Sequence, residues 1–392
     1  MVCSQMRYIL GITHKFSYNQ TACLLGDGKL IAFAEEERFT RVKQAPHDFP
    51  ARAIDFCLNE AGIGPEEIAK VGVGYSSIQD IWKVVSSHEF ARYANKGFER
   101  IEFDRGADLE IYYEADWVRD ICQHNLPVGH IHWQEHHDTH IASTVACAPF
   151  DSCNYMSIDG DGGQRAGSVG FFNGKSVDEH AWFHCIGSIG TFYEKITDFL
   201  GFTPHREEGK TMGLASYGQY DEKLIPREVF FRNEGGLLQI DRNTIEEWLG
   251  VLKEEKGEEI QAKGILSEVA VNVAHTAQKY LEEIFIDTAK IIHDKTSCRD
   301  FALTGGSVLN CSANGRLLEQ DFVDNIFVHP ASHDAGTALG AALMTHYQER
   351  GWLPKIDFPT AYWGSKFNGV QIEHAIKTFC SKEDINLHEV TL

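Results

Sequence analysis

Nowhere in this chain do two of the ten cysteines stand as Cys-x-x-Cys. Cys3, Cys23, Cys57, Cys147, Cys311 and Cys380 are scattered along 392 residues and read as reduced, mostly buried thiols. No apolar run approaches a membrane span. The N-terminus has no basic region leading into an apolar stretch, so no signal peptide is expected and the cytoplasm is the expected location. Positive charge is short, with 36 Lys and Arg against 57 Asp and Glu and a net charge of -21. Such a surface repels phosphodiester backbones and argues against a nucleic-acid partner. A single nucleotide in a local glycine-rich site, or a cationic small molecule, stays compatible with it. What is present is ordinary for globular protein, 43% hydrophobic and 24% charged. The length predicts two domains or three.

A repeat organises the chain. Tyr8 to Ile12 and Thr21 to Leu25 are apolar runs, Asp27-Gly28 is a type I′ hairpin signal, and Leu30 to Ala34 returns. Later, Tyr155 to Ile158 precedes the turn Asp159-Gly160-Asp161-Gly162-Gly163. Ser168 to Phe172 follows, then Asn173-Gly174 and a third strand toward Trp182-Phe183. Thr13 to Asp27 and Asp159 to Asn173 each span 14 positions, and the copies are offset by 146 residues (173 minus 27). Two unrelated hairpins would be the plain reading, but spacing and turn type agree together. Two such meanders, each opening a domain, predict an α/β fold of duplicated ribonuclease-H-like domains, the architecture of actin, Hsc70 and sugar kinases. An interdomain cleft would then hold phosphates on backbone N–H groups. The expected divisions are 1–150, 151–334, and a segment 335–392 whose helix returns to the first domain and leads toward a linker.

Helices are expected at Pro50 to Ala61, ended by Gly62, at Gly190 to Leu200, at Ser267 to His293, and at Ala335 to Tyr347, whose Ala and Gly suit close packing. Pro65-Glu66-Glu67 reads as a first helical turn before the strand Val71-Gly72-Val73. Residues 80–125, charged and aromatic, read as an insertion and a candidate substrate wall.

His136 and His140 stand four apart, so on a helix both imidazoles share a face and can meet one metal ion. In a chain with 19 histidines a packed helix face is the commoner explanation. Asp159 at the repeated turn and Asp334 before the Gly-rich helix could complete a two-His, two-carboxylate site. Such mixed ligation suits Fe²⁺, Mn²⁺ or Zn²⁺. Read separately, Asp159 is a turn residue and Asp334 an N-cap. Gly305 and Gly306, with Asn310 beyond, follow a strand and can bring backbone close to a base or phosphate. Glu194 is a candidate for ribose hydroxyls and Lys210 for phosphate; a solvated helix face and a loop lysine are the plain alternatives. Glu35 to Lys43 is a charge cluster, ordinarily a solvated face.

These segments, in order, resemble a known family. They are Ala34 to Lys43, His136 to His140, Ser157-Ile158-Asp159-Gly160, Gly209 to Gly218, Gly305-Gly306 through Asn314-Gly315-Arg316, and Asp334 to Ala342. Over nearly its whole length the chain is similar to the O-carbamoyltransferases of nodulation-factor and antibiotic biosynthesis. The resemblance implies a metal held by His136, His140, Asp159 and Asp334, with Fe²⁺ foremost. It also implies transfer of a carbamoyl group from carbamoyl adenylate to a hydroxyl of a small-molecule or sugar acceptor. The adenylate would come from carbamoyl phosphate and ATP, with Mg²⁺ alongside, through a YrdC-like domain or protein expected beyond Leu392. A homodimer is compatible with all of this.

Asp159, Gly160, Gly162, Gly163, Gly305 and Gly306 would hold the AMP portion, and the metal would polarise a carbamoyl or phosphate oxygen. Where the family carries His-Asp followed by small residues in the first turn, this chain reads Tyr18-Asn19-Gln20-Thr21, with His14 nearby, and His14 acting with Lys43 is the expected base. His333 stands where the family carries glycine. A sugar-kinase-like phosphotransferase and a non-catalytic nucleotide-binding subunit are the competing readings.

Overall fold

In the computed structural model, which describes residues 6–77, 115–160, 162–163, 165–260, 267–358 and 360–383, Asp27 and Gly28 have φ of 48° and 77°. That is the left-handed pair a type I′ turn requires. It joins β2 (Thr21–Gly26) to β3 (Lys29–Glu35), both antiparallel neighbours in a meander begun by β1 (Tyr8–Ile12). Helix α1 (Ala51–Ala61) ends where Gly62 turns left-handed at φ 68°. Pro65–Glu67 forms one 3₁₀ turn that leads into β4 (Ile68–Val73). β4 pairs parallel to β1, and β5 (Ile131–Trp133) pairs parallel to β4. The sheet order is β3-β2-β1-β4-β5. Most of the expected insertion at 80–125 lies outside the described residues.

After α2 (His136–Cys147) the design repeats. β6 (Cys153–Ile158), β7 (Arg165–Phe172) and β8 (Val177–His184) form a second antiparallel meander. Helices α3 (Ile189–Phe199) and α4 (Glu208–Ala215) follow, then the small hairpin β9 (Phe230–Arg232) and β10 (Leu238–Ile240). Next come α5 (Arg242–Ile260), α6 (Glu268–Thr296), β11 (Asp300–Thr304), α7 (Cys311–Leu318) and β12 (Asn325–Val328). β11 lies parallel to β6, and β12 parallel to β11, so the order β8-β7-β6-β11-β12 copies the first sheet. Both sheets have the ribonuclease-H-like order. The hairpin expected at Asn173-Gly174 forms through a longer turn: at 173–176 Gly174 has φ 90°, and Asn173 Oδ1 accepts from Lys175 and Ser176 N–H at 3.0 Å each. It is a four-residue side-chain-closed loop, since Asn can cap a turn with its own carboxamide.

Helix α8 (Ala335–Arg350) lies on β1, β2 and β4, while α2 lies on β6, β7 and β11, and the two helices pack together between the sheets. Each lobe's sheet is thus covered by the helix that follows the other lobe's last strand. Small residues make this possible. A Cβ on Gly340 would stand 1.8 Å from the Thr139 carbonyl oxygen, so only glycine lets the two backbones approach so closely. Ile141, Ala142 and Val145 of α2 meet Ala338, Leu339 and Ala342 of α8 in this central core. Separate cores lie under α1 in the first lobe and under α6 in the second. Residues Met1–Pro359 form one compact unit and Thr360–Leu392 another. Within the latter, α9 (Gly369–Lys382) starts with a reciprocal Asn368–Gln371 cap. Among the described residues no helix is long and apolar enough to cross a membrane.

Candidate metal centre

Both central helices begin at the same place. The first turn of α2 presents His136 and His140, the residue before α8 is Asp334, and the loop after β6 presents Asp159. One ligand atom from each lies within 4.8 Å of all the others. The two Nε2 atoms stand 3.1 Å apart. His136 Nε2 is 3.6 Å from Asp159 Oδ2 and 3.6 Å from Asp334 Oδ1. For His140 the corresponding distances are 3.0 and 3.7 Å. Ligands about 2.0–2.2 Å from one shared ion stand roughly 3.0–3.6 Å apart, so the spacing fits a single cation.

Neighbouring groups fix these donors in place. His136 Nδ1 lies 3.2 Å from the Gly74 carbonyl oxygen. Donation there leaves Nε2 as the lone-pair nitrogen turned to the centre. Asp159 Oδ1 accepts from Gly160 N–H at 2.8 Å and Gly306 N–H at 3.0 Å. Its Oδ2 is buried and meets no donor in hydrogen-bond geometry. Asp334 Oδ2 accepts the Tyr18 N–H at 2.7 Å, and its side chain makes no cap of α8. Asp159 therefore does more than close its turn, and Asp334 is not acting as an N-cap.

Electrostatics fit the same picture. Burial opposes charge on His140, but the carboxylates of Asp159 and Asp334 outweigh it and raise the imidazole to about 9. His136 is raised in the same way, against its burial, by Asp159 and Asp334. Burial likewise opposes charge on Asp159 and Asp334, and the two imidazoles pull both carboxyls below their usual range. Two imidazoles and two carboxylates that can settle only by sharing protons are a donor set suited to a divalent cation.

The centre forms one side of a cavity of about 450 Å³, which Tyr18, Lys43, Gln44, Glu194, His205 and Asn310 also line. Gly160 and Gly306 reach it as well, but their N–H groups are engaged by Asp159. Gly305 donates to the Ser332 carbonyl at 2.8 Å. Gly162 packs against the His136 ring, where a Cβ would stand 2.2 Å from Cδ2. Gly163 lies beside the Tyr75 hydroxyl. Among the described residues, then, these glycines orient a carboxylate and seat a histidine, where phosphate cradling was expected. Asp161 lies outside the described residues.

Asn310 caps α7 through the Ala313 N–H and exchanges hydrogen bonds with Gln278. Lys210, on α4 instead of a loop, pairs with Glu207 away from the cavity lining. The structure also places His14 elsewhere than expected. It is nine-tenths buried among Phe16, Tyr75, Trp117 and Trp133, with the Tyr75 ring stacked at 5.0 Å, and does not line the cavity. Burial, then the His136 and Lys15 charges, lower it to about 3, so it is neutral.

Two carboxylates of the charge cluster, Glu36 and Glu37, are buried, while Arg38, Arg41 and Lys43 face solvent. Glu36 caps α1 through the Ala53 N–H at 2.8 Å, and the buried Glu37 accepts the Gln44 N–H at 2.6 Å. Lys43 joins Glu37 at 3.1 Å on the cavity rim. Ser307 is a site residue that no sequence pattern singles out. It lines the cavity, and its Oγ is buried without a partner.

The chain matches the family described as Carbamoyltransferase N-terminus over residues 8–343. It is 28% identical over 364 residues to nodulation protein NolNO of Sinorhizobium fredii, covering 91% of this chain and 50% of that protein. With nodulation protein NolO of Bradyrhizobium diazoefficiens it shares 32% identity over 240 residues, 60% of this chain and 42% of that one. An uncharacterised Synechocystis protein is 27% identical over 95% of this chain and 63% of its own length. The chain thus spans about half to two-thirds of the curated relatives it matches along most of its length. Among solved structures, HypF of T. kodakarensis overlays with a TM-score of 0.45 at 13% identity, covering 88% of this chain and 48% of that one.

Proposed function

We propose that this chain, which belongs to the carbamoyltransferase N-terminal family, moves a carbamoyl group from carbamoyl adenylate to a hydroxyl of a small-molecule or sugar acceptor. The observation that carries this reading is the meeting of His136, His140, Asp159 and Asp334 on the wall of a cavity of about 450 Å³, a size suited to a nucleotide-like ligand. A divalent ion held there, Fe²⁺ or else Mn²⁺ or Zn²⁺, supplies Lewis acidity toward a carbamoyl or phosphate oxygen.

The chain's own residues do the rest. Ser307 Oγ offers the adenylate a hydrogen bond, and Tyr193, Met212 and Leu281 give its base an apolar wall. The acceptor oxygen bonds to the carbamoyl carbon. The carbon–oxygen bond to the adenylate phosphate breaks, and its electron pair leaves with AMP. The acceptor proton needs a base that lines the cavity. We place it on His205, whose Nε2 meets Glu194 Oε1 at 3.1 Å.

The test supplies the chain with Mn²⁺ or Fe²⁺, with carbamoyl adenylate formed in situ from carbamoyl phosphate and ATP by a separate adenylate-forming domain, and with a panel of hydroxyl acceptors. The expected products are AMP and an O-carbamate, read by mass spectrometry. A phosphorylated acceptor with ADP would overturn the reading in favour of a kinase, which the paired histidines disfavour, since Mg²⁺ prefers carboxylates and water. The second reading is a nucleotide-binding subunit without turnover of its own. AMP binding without transfer would support it.

A further inference from the structure

At the mouth of the cavity one side chain of the first lobe makes two hydrogen bonds to the second. Gln44 Nε2 donates to the His205 carbonyl at 3.1 Å, and Gln44 Oε1 accepts from Arg206 Nε at 3.2 Å. A carboxamide can do both at once, through its NH₂ and its oxygen. Beside it, the Tyr18 ring of the first lobe stacks on the His205 ring at 4.1 Å. All four residues line the cavity.

The chain holds Gln44 in place at some expense. Its φ is 66°, and Arg41, Ala45 and His47 are also left-handed, at 62°, 43° and 65°. Non-glycine residues in that region are sparsely populated and persist only where surroundings enforce them. Here Glu37 Oε2 takes the Gln44 N–H at 2.6 Å, and the Gln44 carbonyl takes the Gln20 N–H at 3.1 Å. On the other lobe His205 is itself at φ 61°, with its N–H on Glu208 Oε1 at 2.6 Å. Tyr18 links this contact to the metal centre, because its N–H is bound to Asp334.

We propose that Gln44 is a positioning residue: an interlobe latch that holds the 203–207 loop, and with it the His205 ring, over the cavity that Asp159 and Asp334 bound. Its part in retaining the nucleotide rests on the function proposed above; the latch itself rests on geometry alone. A closed latch keeps a labile acyl donor from water and slows release of the spent nucleotide.

The test compares the full chain with Gln44→Ala, Gln44→Glu and Tyr18→Phe. Hydrogen exchange of the 203–207 amides is read first. In Gln44→Ala it should quicken on the order of tenfold, the loss of a neutral and a charge-assisted hydrogen bond. Gln44→Glu keeps the Arg206 contact but sets a carboxylate against the His205 carbonyl, so it too should exchange faster. Tyr18→Phe retains the stack and should match the unmodified chain. The off-rate of AMP should rise in parallel in the two Gln44 variants, with the melting temperature unchanged. Equal exchange in Gln44→Ala and the unmodified chain would overturn the latch. Faster exchange with no AMP binding by any form would leave the latch standing and tell against the carbamoyltransferase reading.

Discussion

The loop after β1 and the loop after β6 occupy equivalent places in the two lobes, and Thr13 sits 146 residues before Asp159. The first closes on itself. Thr13 Oγ1 donates to Gln20 Oε1 at 3.0 Å, and Gln20 Nε2 donates to the His14 and Ser17 carbonyls at 3.0 and 2.8 Å. The second loop satisfies one oxygen of Asp159 and leaves the other turned to two imidazoles. Duplication supplied one scaffold twice; side chains then made one turn a structural plug and gave the other a carboxylate facing two imidazoles. The same division shows at the helix starts, since α2 brings two histidines to the centre and α8 brings a carboxylate.

The largest expected effect tests that division directly. Asp159→Asn keeps an oxygen for the Gly160 and Gly306 N–H groups but replaces the ligand oxygen with an NH₂. Metal affinity, measured by competition with a chelator, should fall by at least about a hundredfold, beyond the range typical of outer-shell changes. Thr13→Ala, at the equivalent position, should leave metal affinity unchanged and cost about 1 kcal/mol of stability. If both variants bind metal like the parent, the loops are not specialised as described.

Much of this was legible in the chain. Asp27-Gly28 announces its hairpin because both residues tolerate positive φ, and the 14-residue repeat of turn spacing carried the duplication. The pairing of His136 with His140 is local, since four residues on a helix share a face. That Asp159 and Asp334 could join them was read from their places at loop-to-element junctions and named again by the resemblance, since no spacing dictates a contact between positions 175 residues apart (334 minus 159). Least legible were contacts between loops. Gln44 looks like any polar residue next to a charge cluster, and its partners lie about 160 residues away. The surroundings of His14 were hidden for the same reason, because residues 75, 117 and 133, far away in the chain, fold over it. The glycines after β6 and β11 were read for their freedom to approach phosphate, and their contacts with a neighbouring carboxylate and a histidine ring had no signal in the sequence.

A second prediction concerns that buried imidazole, which is neutral where the imidazoles beside the second loop are held charged. Unfolded, His14 gains its proton near 6.5; folded, it resists until about 3. Its folded value is depressed, so its contribution to stability is intact above about pH 6.5 and is lost as pH falls toward 3. The slope from this one group is at most about 1.4 kcal/mol per pH unit. His14→Gln removes the titration. Its denaturant midpoints should decline less steeply than the parent's between pH 6.5 and 4, whatever their absolute level. Parallel declines would mean that His14 is not held neutral.

The smallest effect separates two lysines, one on each lobe. Lys43 lines the cavity from the first lobe, tied to Glu37 at 3.1 Å but with 71% of its side chain exposed. Lys210 projects from α4 on the second lobe, paired with Glu207 and lying over the Phe202 ring at 5.8 Å. A solvated cation gives modest attraction to a phosphate, and salt screens it. Lys43→Ala should therefore weaken AMP binding by about threefold to tenfold at low ionic strength, and the difference should shrink in high salt. Lys210→Ala should bind AMP like the parent, because its ammonium faces a carboxylate outside the lining. Calorimetric titration of AMP against both variants decides the matter. The reverse ranking would return Lys210 to the phosphate and place the nucleotide's charged end on the second lobe.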